Sequence, residues 1–165
     1  MTALKNLSWP TVTLGEIAVE LKNGLPEKPH STPPGRPMLR ISAVRAGQVA
    51  FDDVRYHRGS ETDAYDLKTG DLLFVRYNGN ADYVASCGMV RDPVPDCVYP
   101  DKLIRVRLDR SRAVPEWIEL ALRTSAAREQ LRSVIKTAAG QHGISGKDLR
   151  KLEHFPLDLN RNGIP

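Results

Sequence analysis

One short polar segment, residues 76–80, has side chains well suited to molecular recognition. It consists of Arg76, Tyr77, Asn78, Gly79 and Asn80. It follows the apolar run Leu-Leu-Phe-Val at residues 72–75, which is typical of a buried strand, and Asn-Gly is a strong turn signal. The pattern therefore predicts a rigid strand that ends in an exposed polar tip. Guanidinium and amide groups form bidentate hydrogen bonds with guanine and adenine, so this polar tip fits nucleic-acid recognition.

The polar tip also has an ordinary structural interpretation, because most polar residues in loops are only solvated. In that interpretation Arg76 forms an ion pair with a residue such as Asp71 or Asp82. Both interpretations require a strand and a turn to position the tip.

Sequence motifs of several enzyme classes are missing from the chain. It has neither a phosphate-binding P-loop nor a GxGxxG segment, and it lacks the Asp-Pro-Pro-Tyr signature of amino-methyltransferases. Pro95-Asp96 and Pro100-Asp101 are not followed by the acidic-x-Lys that a restriction-type nuclease uses to hold a metal. The four histidines are scattered, without metal-ligand spacing. We therefore expect this chain to have no catalytic activity and no cofactor of its own.

Cys87 and Cys97 are the two cysteines, and they do not form a CxxC pair. No zinc site is expected, and the thiols are predicted to be reduced, with a disulfide between them as the alternative. No apolar run approaches the roughly 20 residues of a membrane span, and the N-terminus lacks the apolar core of a signal peptide. These features predict a cytoplasmic protein with no membrane partner.

Charge is unevenly distributed along the 165 residues. The net charge is +4, but residues 101–151 have 12 basic and 6 acidic residues, whereas residues 61–100 have 3 and 7. A second basic excess lies in residues 1–60, with 8 basic and 5 acidic residues. If folding joins the two basic segments, they form a positive surface for an anionic partner. The alternative is that these cations only solubilise the fold.

The hydrophobic pattern predicts a single α+β domain over residues 1–165, with a mixed or antiparallel sheet of short strands, one long helix and several short helices. Predicted strands are 38–44, 71–77, 83–90, 102–109 and 155–159, and residues 49–51 are predicted to return after a turn at Ala46-Gly47 and form a hairpin with strand 38–44. The long helix starts at Pro115 and ends at Gly140. Shorter helices are predicted at residues 14–21, after Ser60 and after Ser145. Residues 24–37 contain five prolines and are predicted to form a loop.

An ordered set of segments resembles the target recognition domain of the specificity subunit of type I restriction–modification enzymes. The segments are Trp9 with Leu14-Gly-Glu-Ile17, Pro37 to Val44 with Gly47 and Val49, Tyr65 with Lys68 to Gly79, and Ala139-Gly140 with Gly143-Ile-Ser145, Leu149, Leu152 and Phe155-Pro156. Two positions depart from the family pattern: Ala43 replaces a favoured Asn, and Leu157 replaces a second proline. The long spacer helix of the family does not follow this segment, so the chain resembles one isolated recognition domain.

The resemblance implies sequence-specific binding of double-stranded DNA, with recognition of one half of a bipartite target. Methyltransferase subunits would be partners, with a restriction subunit as a further candidate, and these subunits would supply the chemistry with S-adenosylmethionine, ATP and Mg²⁺. The DNA-binding candidates are Lys22, Asn23, Lys28, Arg36, Arg76, Tyr77, Asn78, Asn80, Lys102, Gln141, His142 and Lys147. We expect Arg76, Asn78 and Gln141 to contact bases, and Lys22, Lys102 and Lys147 to contact phosphates.

Two further functions compete with this one. The chain would be a protein-interaction module if its charged surface bound a partner subunit instead of DNA. Less favoured is a metal-dependent nuclease with an unrecognised motif. The stripe Arg128, Arg132 and Lys136 on the predicted long helix fits phosphates or a partner equally well.

Overall fold

The computed structural model describes residues 11–45, 47–60, 62–153 and 155–156. The strands are β1 (Thr11–Val12), β2 (Ala18–Asn23), β3 (Arg36–Leu39), β4 (Val44–Arg45), β5 (Gly47–Val49), β6 (Val54–His57), β7 (Leu72–Val75), β8 (Tyr77–Asn78), β9 (Cys87–Met89), β10 (Leu103–Leu108), β11 (Lys136–Ala138), β12 (Gln141–Gly143) and β13 (Phe155–Pro156). The α-helices are α1 (Leu14–Ile17), α2 (Pro115–Leu122), α3 (Ser125–Val134) and α4 (Gly146–Arg150). Short 3-10 helices cover Ile41–Ala43, Asp63–Tyr65 and Ala81–Tyr83. Trp9 and the predicted strand residues 157–159 lie outside the described residues.

A six-stranded mixed sheet with the order β2-β10-β7-β9-β5-β4 separates two hydrophobic cores. Successive side chains of a strand point to opposite faces, so Leu72 and Phe74 enter one core while Leu73 and Val75 enter the other. The first core lies under the α-helices, and the second lies under the segments around β3 and β4. Because both faces are covered, all four residues of β7 are buried, as their unbroken apolar run predicts.

The predicted α+β fold is confirmed, including its mixed sheet, in which β5 pairs with β9 in parallel and the other pairs are antiparallel. The predicted strand at 102–109 is β10, which pairs with β2 on one side and β7 on the other. The hairpin predicted after residue 43 is formed by β4 and β5. The helix predicted after Ser145 is α4, and its capping box is present.

The single long helix predicted from Pro115 to Gly140 is wrong, because the chain breaks twice in this region. Thr124 caps α3 by accepting a hydrogen bond from the Ala127 N–H, so α2 and α3 are separate helices. After α3 the backbone becomes extended and forms β11. The stripe of Arg128, Arg132 and Lys136 is consequently not a continuous helical face.

Several other boundaries differ from the sequence prediction. The helix predicted at 14–21 is one turn, capped by Thr13 and Glu16, and the chain then extends as β2 to pair with β10. The strand predicted at 38–44 is interrupted by the 3-10 helix Ile41–Ala43. The strand predicted at 71–77 is divided between β7 and β8, which belong to different sheets. The helix predicted after Ser60 is only a 3-10 helix at residues 63–65. The strand predicted at 83–90 starts later than expected, because residues 81–83 form another 3-10 helix. At β2, pairing with the distant strand β10 overrides the local helical pattern.

Candidate nucleic-acid interface

A three-stranded sheet with the order β11-β12-β8, here called the polar sheet, brings the two predicted base-contacting loops together. His142 pairs with Asn78, and Gly143 pairs with Tyr77. On the other side of β12, Thr137 pairs with His142 and Ala138 with Gln141. Residues far apart in sequence, the polar tip and the Gln141–His142 segment, are therefore neighbours, as the DNA-binding hypothesis requires.

The register places the polar side chains on two faces, because residues directly opposite in an antiparallel pair lie on the same side. Thr137, His142 and Asn78 form a row on one face, where Thr137 Oγ1 lies 2.8 Å from His142 Nδ1. Tyr77, Lys136 and Gln141 line a hollow of about 370 Å³ on the other face, next to α4. Asn78 and Gln141, both predicted to contact bases, are thus on opposite faces of the polar sheet.

Arg76 connects the polar sheet to the central sheet. Its N–H donates to the Lys102 carbonyl at 2.8 Å, and its carbonyl accepts from the Ile144 N–H at 3.0 Å. Its guanidinium lies 4.5 Å from the centre of the Tyr77 ring, and Nη1 donates to the Asp101 carbonyl at 3.3 Å. The alternative ion pair with Asp71 is not formed, because Asp71 accepts two hydrogen bonds from Arg107. The buried Nε of Arg76 has no hydrogen-bond partner among the described residues.

Asn78 and Asn80 shape the turn of the polar tip with their side-chain oxygens. Asn78 Oδ1 accepts from the Asn80 N–H at 2.9 Å, and Asn80 Oδ1 accepts from the Asp82 N–H at 2.9 Å. Both are Asx-type turns, which leave the side-chain amide N–H groups for other partners. The predicted strand-and-tip geometry is therefore present, with an exposed Asn80 and a half-buried Asn78.

A second region, here called the basic cleft, is a hollow of about 770 Å³ that includes the predicted residues Lys28 and Lys102. Arg40 and Arg55 also line it, together with Glu27 and Asp101. The Lys102 carbonyl accepts a hydrogen bond from the Arg76 N–H, so the basic cleft continues directly into the polar tip. The cations of this cleft come from three distant parts of the chain.

Sequence reasoning missed Arg40 and Arg55 as candidate functional residues. Arg40 is exposed and forms an ion pair with Asp53 at 2.8 Å. Arg55 lies opposite Met38 in the pairing of β3 with β6. The alternation around residue 40 did indicate that Arg40 lies on an outer face, but β6 had no strong strand pattern that would place Arg55 beside it.

Arg36 has a structural role in this fold. Its guanidinium donates to Asp66 at 2.6 Å and to Asp96 at 2.8 Å, and also to Thr62 at 2.9 Å. Three chain segments are held together by these bonds, so the charge of Arg36 is already paired. The contact of Arg36 with DNA stays a prediction, and these hydrogen bonds do not favour it.

Lys22, Asn23 and Lys147 lie at the edges of these regions. Lys22 Nζ lies 4.4 Å from the centre of the Tyr65 ring and lines a separate hollow with Glu27 and Asp63. Asn23 is exposed at the end of the edge strand β2. Lys147 is exposed on α4, in the helix that borders the hollow of the polar sheet.

The N-terminus of α4 is fixed by a reciprocal cap. Ser145 Oγ donates to Asp148 Oδ2 at 2.6 Å, and the Asp148 N–H donates back to Ser145 Oγ at 3.2 Å. The Ser145 hydroxyl hydrogen bond holds the pKa of Asp148 below its ordinary value against the opposing effect of burial, and the hydrogen bond from the Ser145 N–H lowers it further. Asp148 lies 3.9 Å from Lys136 Nζ, so the cap also contacts β11.

The described residues contain no group of three or more histidine, cysteine or acidic side chains that could hold a metal ion. Cys87 and Cys97 are free thiols rather than a disulfide. Burial raises the pKa of Cys97 to about 12, and burial likewise raises that of Cys87. Neither thiol has the lowered pKa of a nucleophile. In the described part of the chain, no helix is long and apolar enough to cross a membrane.

Arg128 connects α3 to the segment after the polar tip. Its Nη1 donates to the Ala85 carbonyl at 3.2 Å, and Nη2 donates to the Asp82 carbonyl at 3.3 Å. Burial, with the nearby charge of Arg132, lowers the pKa of Arg128 from its ordinary value. The residue therefore braces the polar tip, and a phosphate-tracking role along one helix is not available to it.

Curated relatives with similar sequences include two specificity subunits. The chain is 45% identical over 137 residues to the type I restriction enzyme EcoKI specificity subunit of Escherichia coli (strain K12), in a match that covers 81% of this chain and 29% of that protein. It is 26% identical over 157 residues to the type I restriction enzyme StySPI specificity subunit of Salmonella potsdam, which covers 92% of this chain and 34% of that protein. The chain thus spans about a third of the length of these relatives. No family model matches it.

Solved structures share the fold. The HsdS subunit from Thermoanaerobacter tengcongensis superposes with a TM-score of 0.64 at 19% identity, over 95% of this chain and 40% of that chain. A chain from a study of complex assembly and conformational transition of the type I R-M system gives a TM-score of 0.65 at 19% identity, over 93% of this chain and 39% of that chain.

The solved structures define the fold class of this chain, a mixed α+β domain. The sequence matches identify the family: the chain belongs to the type I restriction–modification specificity subunits and corresponds to one target recognition domain. The resemblance drawn from the ordered sequence segments is confirmed.

Proposed function

We propose that this chain binds double-stranded DNA sequence-specifically and recognises one half of a bipartite target for a type I restriction–modification complex. The observation that supports this most is the continuity of the polar sheet with the basic cleft through Arg76 and Lys102. Base contacts and phosphate contacts are then available on one surface, which is the arrangement of a sequence-specific DNA-binding protein. Arg76 and Asn78 would contact bases, and the cations of the basic cleft would contact phosphates.

Methylation and cleavage would be carried out by partner subunits, with S-adenosylmethionine, ATP and Mg²⁺ bound there. This division of labour is what the family membership suggests, because the curated relatives are named specificity subunits. We propose that the chain itself needs no cofactor and acts in the cytoplasm, beside methyltransferase subunits.

The salt dependence of DNA affinity tests the proposal. A labelled duplex enriched from a random library would be titrated with the chain at about 50 and 200 mM salt. Three phosphate contacts, one for each of Lys28, Arg55 and Lys102, predict a slope of about −3 in log affinity against log salt, or roughly a fortyfold loss. A weak or absent salt dependence would contradict the proposal.

A matched pair of variants localises the effect. Lys28→Ala with Lys102→Ala removes two cations of the basic cleft and is expected to reduce the slope by about 2. Lys68→Ala with Lys151→Ala removes the same charge from two exposed positions outside this cleft. Equal effects of the two pairs would show that only net charge matters.

A protein-interaction module is the second candidate function. Trp117 and Leu120 are each 64% exposed on α2, and exposed large apolar side chains are common at protein interfaces. No duplex affinity at low salt would favour this candidate.

Nuclease activity is tested by nicking of plasmid DNA in the presence of Mg²⁺, and we expect no cleavage.

A further inference from the structure

The hairpin of β11 and β12 projects from the fold without a packing role at its end. Every residue from Lys136 to Gln141 is exposed. Its two ends are anchored instead, since Ile144 is buried in the core under the helices and Ile135 packs against that core. The space around Gly140 is open, because a Cβ added there would have no neighbour within 4 Å among the described residues. The end of the hairpin is therefore exposed to solvent rather than packed against the core.

The turn of this hairpin has an unfavourable residue for its conformation. Ala139 has a φ of 48° and Gly140 a φ of 75°, as in the two-residue turns that match the twist of a hairpin. Asn-Gly or Gly-Gly would form such a turn with less strain than Ala-Gly. A tight turn keeps Thr137 and His142 in direct register across the two strands.

The two faces of the polar sheet differ in chemistry. The face with Tyr77, Lys136 and Gln141 adjoins α4, where Lys136 Nζ lies 3.9 Å from the Asp148 carboxylate, so part of this face is engaged within the fold. The face with the row of Thr137, His142 and Asn78 has hydrogen-bonding groups on three adjacent strands. Because Thr137 Oγ1 engages His142 Nδ1 at 2.8 Å, the Nε2 atom is the free hydrogen-bonding group of the imidazole.

We propose that the row of Thr137, His142 and Asn78 is the base-recognition face of this domain and enters the major groove as part of a short β-ribbon. The inference rests on the proposed DNA-binding function and adds the groove, the face and a positioning residue. His142 Nε2 and the Asn78 amide contact base edges, and Thr137 fixes the orientation of the His142 ring. The major groove admits a two-stranded β-ribbon and presents a distinct pattern for each base pair. Gln141, on the other face, contributes affinity rather than base choice.

Selection from a library of random 20-base-pair duplexes tests this assignment. The wild-type chain, Asn78→Ser, His142→Ala, Thr137→Val and Thr137→Ser would each be used for selection. Asn78→Ser retains an oxygen for the turn of the polar tip. We expect Asn78→Ser, His142→Ala and Thr137→Val to lose about tenfold discrimination at one or two positions, with unchanged Tm. Thr137→Ser retains the hydroxyl and should restore the wild-type preference. Ser125→Ala, which removes an exposed hydroxyl on α3, is the control for surface substitution.

The outcomes distinguish a failure of the base-recognition face from a failure of the proposed DNA binding. Methylation of guanine N7, a major-groove atom, should interfere with binding to the enriched duplex, whereas methylation of adenine N3 in the minor groove should not. Three results would overturn this inference and leave DNA binding intact. The first is enrichment with unchanged base preference in Thr137→Val and His142→Ala. The others are a changed base preference in Gln141→Ala and interference only from methylation in the minor groove. No enrichment of any duplex would overturn both.

Discussion

At the scale of single residues, Arg76 is the side chain on which the DNA-binding proposal depends most. It stacks on Tyr77 and makes a single side-chain hydrogen bond, to the Asp101 carbonyl, among the described residues. A guanidinium held by a ring keeps its planar fork in one orientation, which favours bidentate contacts. Sequence reasoning had predicted this residue as a base contact, and its position next to the basic cleft is consistent with that role.

Arg76→Ala is therefore expected to relax base preference, whereas Lys147→Ala should weaken binding to all duplexes alike. The loss for Arg76→Ala should be about 1 to 3 kcal/mol on the preferred duplex and smaller on a shuffled one. Anisotropy titrations of both variants with both duplexes measure this. Parallel losses for the two variants would contradict the division between base and phosphate contacts.

Arg105 has a different role, inside the fold. Its side chain is buried between the sheet and the segment around Asp66, where it pairs with Glu20 and donates to the Asp66 carbonyl at 2.7 Å. Its guanidinium also lies 5.5 Å from the centre of the Tyr99 ring. Arg105 lies on the same face of β10 as Leu103, and that face is covered by the second core.

Arg105→Ala is expected to lower the free energy of unfolding by about 3 kcal/mol, because it leaves buried carbonyl groups without donors and opens a cavity. Arg91→Ala, at an exposed position, is the matched control and should change stability by less than about 0.5 kcal/mol. Urea denaturation measures both. A loss below about 1 kcal/mol for Arg105→Ala would mean that the buried guanidinium contributes little.

At the scale of elements, the turn between β11 and β12 gives a clear stability prediction. Ala139→Gly should stabilise the protein by about 0.5 to 1 kcal/mol, since glycine adopts positive φ without a steric cost. Gly140→Ala should destabilise it, although the added Cβ has open space, because only the backbone conformation is penalised. Thermal unfolding of both variants tests the pair. Opposite signs from these would show that the turn has another conformation.

The cap of α4 gives a pH-dependent prediction. Asp148 has a lowered pKa in the folded protein because it accepts hydrogen bonds from Ser145, so its stabilising effect is present above its unfolded pKa of about 3.8. That effect is lost as the pH falls through the lower, folded pKa. The stability difference between the wild type and Asp148→Asn should therefore shrink as the pH falls from about 5 to about 2, as measured by urea denaturation. A difference that is constant with pH would exclude an ionised cap.

The elements also show which features the sequence could predict and why features that depend on long-range contacts could not be predicted. The strand β10 and the cap at Ser145 follow from local patterns, and the structure has them in place. The extended β2 after Ile17 depends on pairing with β10, which is about 80 residues away and has no local signal. The same reason applies to Arg36, whose partners Asp66 and Asp96 are distant in sequence. Local spacing predicted the polar tip, but only strand register shows that Asn78 and Gln141 lie on opposite faces.

At the scale of the whole molecule, the sheet with a core on each face is a rigid support for one polar surface. The basic cleft, Arg76 and the polar sheet follow one another along it. The chain spans about a third of the length of its curated relatives, and a single half-site gives fewer contacts than two linked ones. We therefore expect modest affinity when this domain is tested by itself, because a single site binds without avidity.

Hydrogen–deuterium exchange of the chain with and without an enriched duplex tests the central claim most directly. The account predicts protection of backbone amides in residues 26–42, 76–80, 100–102 and 136–143, which form the basic cleft and the polar sheet. Residues 115–122 of α2, with the exposed Trp117 and Leu120, should exchange equally in both states. Protection confined to α2, or no change at residues 76–80 and 136–143, would contradict it.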